Sequence, residues 1–176
     1  MAENTVTVNR APVMTLWAAI VNERMGFEPD EAFSLARAVT GLNAQSKGQR
    51  LGIYEAPEER GEKARQRKPE EAFSVKVLGR PVPAINTDKG VRGLREDKII
   101  NPTSARRYVE KKFGDQLPEV RAAMESLADS YDPDELAKKA YDLYEKFRPD
   151  IPSGKKGWGA EGKLDLNYIR SLAKET

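Results

Sequence analysis

Apolar positions recur at helical spacing soon after the chain begins. Val13, Leu16, Trp17, Ile20 and Val21 form one stripe, which Met14, Ala18 and Met25 widen. The pattern predicts a helix with a broad buried face. Pro12 suits a first helical position, where its missing N–H has no partner to lose, and Gly26 suits the stop because glycine enters left-handed backbone cheaply. Phe27 is placed to cover that stop. A second helix is predicted from Pro29, with Asp30 and Glu31 at the positive end of its dipole and Ala32, Leu35, Ala36, Val39 and Leu42 on one face. The two helices make an antiparallel hairpin that ends near Lys47, inside an N-terminal unit of residues 1–54. Gly41 within the second helix costs about 1 kcal/mol relative to alanine, which marks a place where another backbone comes close.

Before and after this hairpin the pattern weakens. Residues 1–10 are polar without a period and predict a loose arm. Residues 55–71 are almost wholly charged, with no apolar side chain larger than alanine or proline, and predict a solvated linker. Phe73, Val75 and Val77 alternate with Ser74 and Lys76, Gly79-Arg80 turns the chain, and residues 81–86 return. This reads as a small β-hairpin whose prolines, Pro81 and Pro83, confine the second arm to an edge. Residues 87–101 read as a charged loop.

Helical spacing then resumes. Ala105, Tyr108, Val109 and Phe113 follow a Thr103 or Ser104 cap and stop at Gly114. Val120, Met124, Leu127, Ala128 and Tyr131 follow Pro118. Asp132-Pro133-Asp134-Glu135 opens a helix carrying Leu136, Ala140, Leu143, Tyr144 and Phe147. Residues 148–163 read as a glycine-rich loop, and Asp165 caps a short last helix with Leu166, Ile169 and Leu172. The expected fold class is mainly α: an N-terminal helical hairpin, a charged linker over 55–71, and a unit over 72–176 with a small β-hairpin and a C-terminal helical bundle.

Composition removes several chemistries. The 176 residues include no cysteine and no histidine, which excludes disulfides, thiol nucleophiles, structural zinc and imidazole acid–base catalysis. An enzyme is therefore disfavoured, and neither a cofactor nor a metal is implied. No signal-peptide pattern or membrane-length apolar run occurs, so a cytoplasmic protein without a membrane partner is expected. Gly157-Trp158-Gly159-Ala160-Glu161-Gly162-Lys163 has phosphate-loop spacing, but Leu164 stands where the magnesium-binding hydroxyl is needed and 13 residues follow Lys163, too few for a nucleotide-binding sheet. The carboxylates Asp129, Asp132, Asp134 and Glu135 lack calcium-loop spacing and read as helix caps. Ser46 beside Lys47 and Ser153 near Lys155 have nothing to make a nucleophile of the serine. A helix-turn-helix reading of the opening hairpin is weakened by Asn22 and by Glu28, Asp30 and Glu31, which would face phosphate with like charge, and a plain helical hairpin is favoured.

The strings Leu16-Trp17-Ala18-Ala19, Gly41-Leu42-Asn43-Ala44-Gln45-Ser46-Lys47-Gly48 with Leu51-Gly52, and Gly157-Trp158-Gly159 resemble a bacterial protein family with no assigned activity. The resemblance implies a bacterial source and a helical N-terminal unit, and lends no site residue. Gln45, Ser46, Lys47 and Arg50 stand as a possible ligand contact, or simply as a helix end where cations meet the negative dipole.

Charge distribution supplies the functional expectation. Net charge is +2. Residues 72–114, however, carry 10 basic and 4 acidic side chains, and residues 115–148 carry 5 and 9. Arg92, Arg95, Lys98, Arg106, Arg107, Lys111 and Lys112 make the basic middle a candidate nucleic-acid-binding segment. The competing account pairs those cations with the acidic helices that follow. A second functional reading is a homodimer or protein-partner module that docks through the apolar face of the opening hairpin, Trp17 included.

Overall fold

The computed structural model describes residues 5–50, 72–95, 98–149 and 161–173, apart from the side chains of 42–50 and 161. Around its first helix, α1 (Arg10–Arg24), residues 11–22 are all buried. A helix apolar on every side belongs in the middle of a structure, and the other helices surround it. Trp17, fully buried, donates its indole N–H to the Ala140 carbonyl at 2.9 Å and meets the Phe147 ring edge-on at 5.3 Å. Gly26, at φ +108°, ends the α1 turn, and the Phe27 N–H returns to the Asn22 carbonyl.

The second helix, α2 (Pro29–Arg50), packs along α1. Three further helices, α3 (Pro102–Phe113), α4 (Leu117–Asp129) and α5 (Pro133–Phe147), also contact α1, directly or through α2. Their buried residues match the apolar spacing: Ala105, Val109 and Phe113; Val120, Met124 and Leu127; Leu136, Ala140, Leu143, Tyr144 and Phe147. The cap of α3 is Asn101, whose side chain accepts the Thr103 N–H at 2.8 Å, and not the expected Thr103 or Ser104. A short last helix, α6 (Leu166–Ser171), starts at Asp165, which accepts from the Asn167 and Tyr168 N–H groups. One buried cluster runs from Val6 to Ile169, so the helices after residue 102 share a core with the opening hairpin.

The fold class is mixed α/β, which corrects the expectation of a mainly helical protein with one small hairpin. Two sheets are present. In the first, β1 (Thr5–Asn9) pairs antiparallel with β6 (Glu161–Asp165), with Val6 opposite Leu164 and Val8 opposite Gly162. These segments had read as a loose arm and a glycine loop. Pairing between chain ends is invisible to a local pattern, although Val6 and Val8 do alternate with Thr5 and Thr7.

The second sheet runs β2 (Phe73–Val77), β3 (Arg80–Thr87), β4 (Gly90–Arg95), β5 (Lys98–Ile99) in sequence order, all antiparallel. The segment expected to be a charged loop therefore contains two strands, and β3 lies inside the sheet rather than at its edge. Its prolines are accommodated because β4 pairs only with residues 84–87 of β3, so Pro81 and Pro83 lie where β2 is the one neighbour. Leu78 and Gly79, both at positive φ, form the two-residue turn between β2 and β3.

The sheet is seated on α2. Ser34 donates its hydroxyl to the Ile100 carbonyl and accepts the Gly93 N–H, each at 2.8 Å. Glu31 accepts the Val91 N–H at 2.8 Å. The close backbone approach expected at Gly41 occurs instead at Gly93, where an added Cβ would lie 2.9 Å from the Ser34 carbonyl oxygen. At Gly41 the neighbour is the Arg95 side chain, 3.6 Å from where a Cβ would stand.

Candidate functional site: a two-arginine pocket

The seven cations of the basic middle occupy different environments. Arg92 is turned inward, only 6% exposed, and donates to the Val91 carbonyl. Arg106 lies on one flank of the buried stripe of α3, pairs with Asp30 at 2.7 Å, and sits 5.4 Å from the Phe33 ring centre. Arg92 is therefore buried and Arg106 is engaged with an acid. Arg107, Lys111 and Lys112 are exposed on α3, and Arg95 and Lys98 are exposed on the β4–β5 hairpin. No described carboxylate pairs with any of these five; Glu96 and Asp97 lie outside the described residues. The acidic helices expected to neutralise them do other work: Glu125 pairs with Arg121 at 3.0 Å, and Asp129 stands 4.0 Å from Arg24.

Tyr108 lies on the flank of α3 opposite Arg106, with Lys111 and Lys112 three and four residues on and therefore on the same side of the helix. Its ring is stacked under the guanidinium of Arg37 from α2, 4.3 Å from the ring centre. One helical turn beyond Arg37 comes Gly41, over which the Arg95 side chain lies. Arg37, Arg95 and Tyr108 thus line one pocket of about 140 Å³, completed by Asn9, Ala11, Thr40 and Gly41. No acidic residue lines it among the described residues. Thr40 is committed elsewhere, donating to the Ala36 carbonyl or sharing a hydrogen with Thr15 at 2.9 Å. Of the lining residues, Asn9, Tyr108, Arg37 and Arg95 have side chains with no hydrogen-bond partner among the described residues.

Arg95 and Lys98 are direct cross-strand partners in the β4–β5 ladder. Like charges opposite one another in a sheet repel.

Sequence reasoning named Arg95, Lys98, Lys111 and Lys112 but missed Arg37, Asn9 and Tyr108 as site residues. Arg37 sits in a run otherwise read for its buried face, and Asn9 in a segment read as an arm. An arginine amid Leu35, Ala36 and Val39 was the available signal. Gln45, Ser46, Lys47 and Arg50 belong to the α2 backbone, and their side chains lie outside the described residues, as do the charged segment 55–71 and Trp158. Lys163 and Leu164 of the apparent phosphate loop are strand residues of β6.

The class defined by these features is a mixed α/β protein with a helix-centred core and a cationic, aromatic-lined pocket. No family model, curated protein or solved structure matches the chain. Among the described residues, no group of three or more acidic side chains is placed to hold a metal ion, and no helix is long and apolar enough to cross a membrane.

Proposed function

We propose that the protein binds nucleic acid through phosphate contacts centred on this pocket, in the cytoplasm, and without catalysing a reaction. The observation that carries the reading is the placement of Arg37, Arg95 and Tyr108 in one pocket with no acid among its described lining residues, and with Lys98 set directly opposite Arg95. Exposed cations track a phosphate backbone, and a guanidinium held over the Tyr108 ring is fixed in place beside them. No base-edge reading array is evident on α3, so affinity independent of base sequence is expected. A cytoplasmic setting is compatible with a chain that has no cysteine.

The test is fluorescence anisotropy with labelled single strands and duplexes across a salt series. Four to five phosphate contacts imply a log–log slope of roughly −3 for single strands and roughly −4 for duplex. Arg95→Ala with Lys111→Ala should flatten that slope by about 1.5 to 2. Arg106→Ala should leave it unchanged, because that guanidinium is engaged with Asp30. Absence of binding at low salt would remove the proposal.

The partner-docking alternative needs the apolar face of the opening hairpin, and Trp17 on that face is enclosed by α5 of the same chain. No observation favours it over strand binding.

A further inference from the structure

The pocket is smaller than a strand-binding groove, and its interior is specific. A volume of about 140 Å³ suits one tetrahedral anion with part of the group it is attached to. Sites that enclose a whole drug-sized ligand start near roughly 300 Å³. Asn9 forms part of the wall. It is 8% exposed and precedes α1, yet its side chain makes no capping hydrogen bond, and no described residue bonds to it. The carboxamide atoms are open to the solvent of the pocket, so they are free to bond a group that enters it. An anionic oxygen there could accept from the Asn9 amide as well as from Arg37, Arg95 and the Tyr108 hydroxyl.

Charge narrows the identity of the anion. Two guanidiniums, with no carboxylate among the described lining residues, present two positive charges. A phosphodiester or a carboxylate brings one negative charge, whereas a phosphomonoester carries about −1.5 to −2 at neutral pH and has three terminal oxygens to share among forked donors. We infer that the pocket is the seat of a phosphomonoester group, gripped by Arg37 and Arg95 and oriented by Asn9 and Tyr108. The group is supplied either by the phosphorylated end of a nucleic-acid strand or by a free phosphorylated small molecule. The strand-end source rests on the function proposed above; the seat itself does not.

Calorimetric titration of the full chain with inorganic phosphate and with dimethyl phosphate tests the seat. Phosphate should bind at least about tenfold more tightly than dimethyl phosphate, and Arg95→Gln and Asn9→Ala should each weaken phosphate roughly ten- to a hundredfold. Arg95 is exposed and Asn9 has no bond to lose, so both variants should melt near the parent temperature, which separates lost binding from lost folding. Equal affinity for the two anions, no phosphate binding, or phosphate binding indifferent to both substitutions would overturn the inference. A second arm uses thymidine oligomers with and without a 5′- or 3′-terminal phosphate. Tighter binding of an end-phosphorylated strand, abolished by Arg95→Gln, assigns the strand end. Retained phosphate affinity with equal strand affinities assigns a small molecule. Retained phosphate affinity with no strand binding at low salt rejects nucleic-acid binding and keeps the seat; salt-sensitive strand binding without phosphate selectivity does the reverse.

Discussion

Tyr144 shows how a single burial decides a side chain's chemistry. Its ring is packed between Tyr141 and Phe147, and its hydroxyl is 3.5 Å from the Arg10 carbonyl. Removal from water raises its phenol well above the ordinary tyrosine range, against the smaller opposing pull of Arg148 and Arg10. The neutral form is therefore favoured in the folded state. Stability from this group is intact below the unfolded value near pH 10 and declines above it, by at most about 1.4 kcal/mol per pH unit, because the unfolded chain releases a proton that the native chain retains. An alkaline absorbance titration should show a tyrosine that ionises only as the chain unfolds. Tyr144→Phe should abolish that late step. A titration in which every tyrosine ionises before helicity is lost would contradict the burial argument.

Among the elements, the helices were legible and most strands were not, for a physical reason. Each helix from α1 to α5 carries its own buried stripe, so a local period announces it. The strands depend on partners: β1 requires β6 from the far end of the chain, and β4 reads as Gly90-Val91-Arg92-Gly93-Leu94-Arg95, where glycine and charge mask the alternation. What fixes β4 is its seat on α2 through Ser34, Glu31 and the bare backbone of Gly93. The pocket inherits the same limitation. Its β4 cation, Arg95, was visible as charge, but the grouping of Arg95 with Arg37, Tyr108 and Asn9 follows from that seat. Ser34→Ala orphans the Gly93 N–H and should cost about 1–3 kcal/mol. Gly93→Ala forces a Cβ against the Ser34 carbonyl and should cost a similar amount. Both should speed amide exchange in β4 more than in α5. Uniform acceleration across the chain would mean that the sheet is not docked as an independent layer.

At the scale of the whole molecule, α1 is the element that every helix from α2 to α5 contacts, and the buried cluster joins β1, α1–α5, β6 and α6 without a break. Trp17 is its centre: the ring is wholly buried, its edge contact is with Phe147, and its N–H ties α1 to the α5 carbonyl of Ala140. Truncating such a residue leaves a cavity that close packing on all sides cannot fill, so Trp17→Ala should destabilise by about 3–5 kcal/mol. A core shared in this way ties unfolding of the opening hairpin to unfolding of the later helices, because neither part keeps its apolar surface covered alone. Denaturant unfolding of the parent chain should therefore give coincident transitions by tryptophan fluorescence and by far-ultraviolet circular dichroism. The Trp17→Ala midpoint should fall with little change in slope. Two separated transitions, with one part of the helical signal surviving the other, would show that the opening hairpin and the later helices fold independently despite the contacts between them.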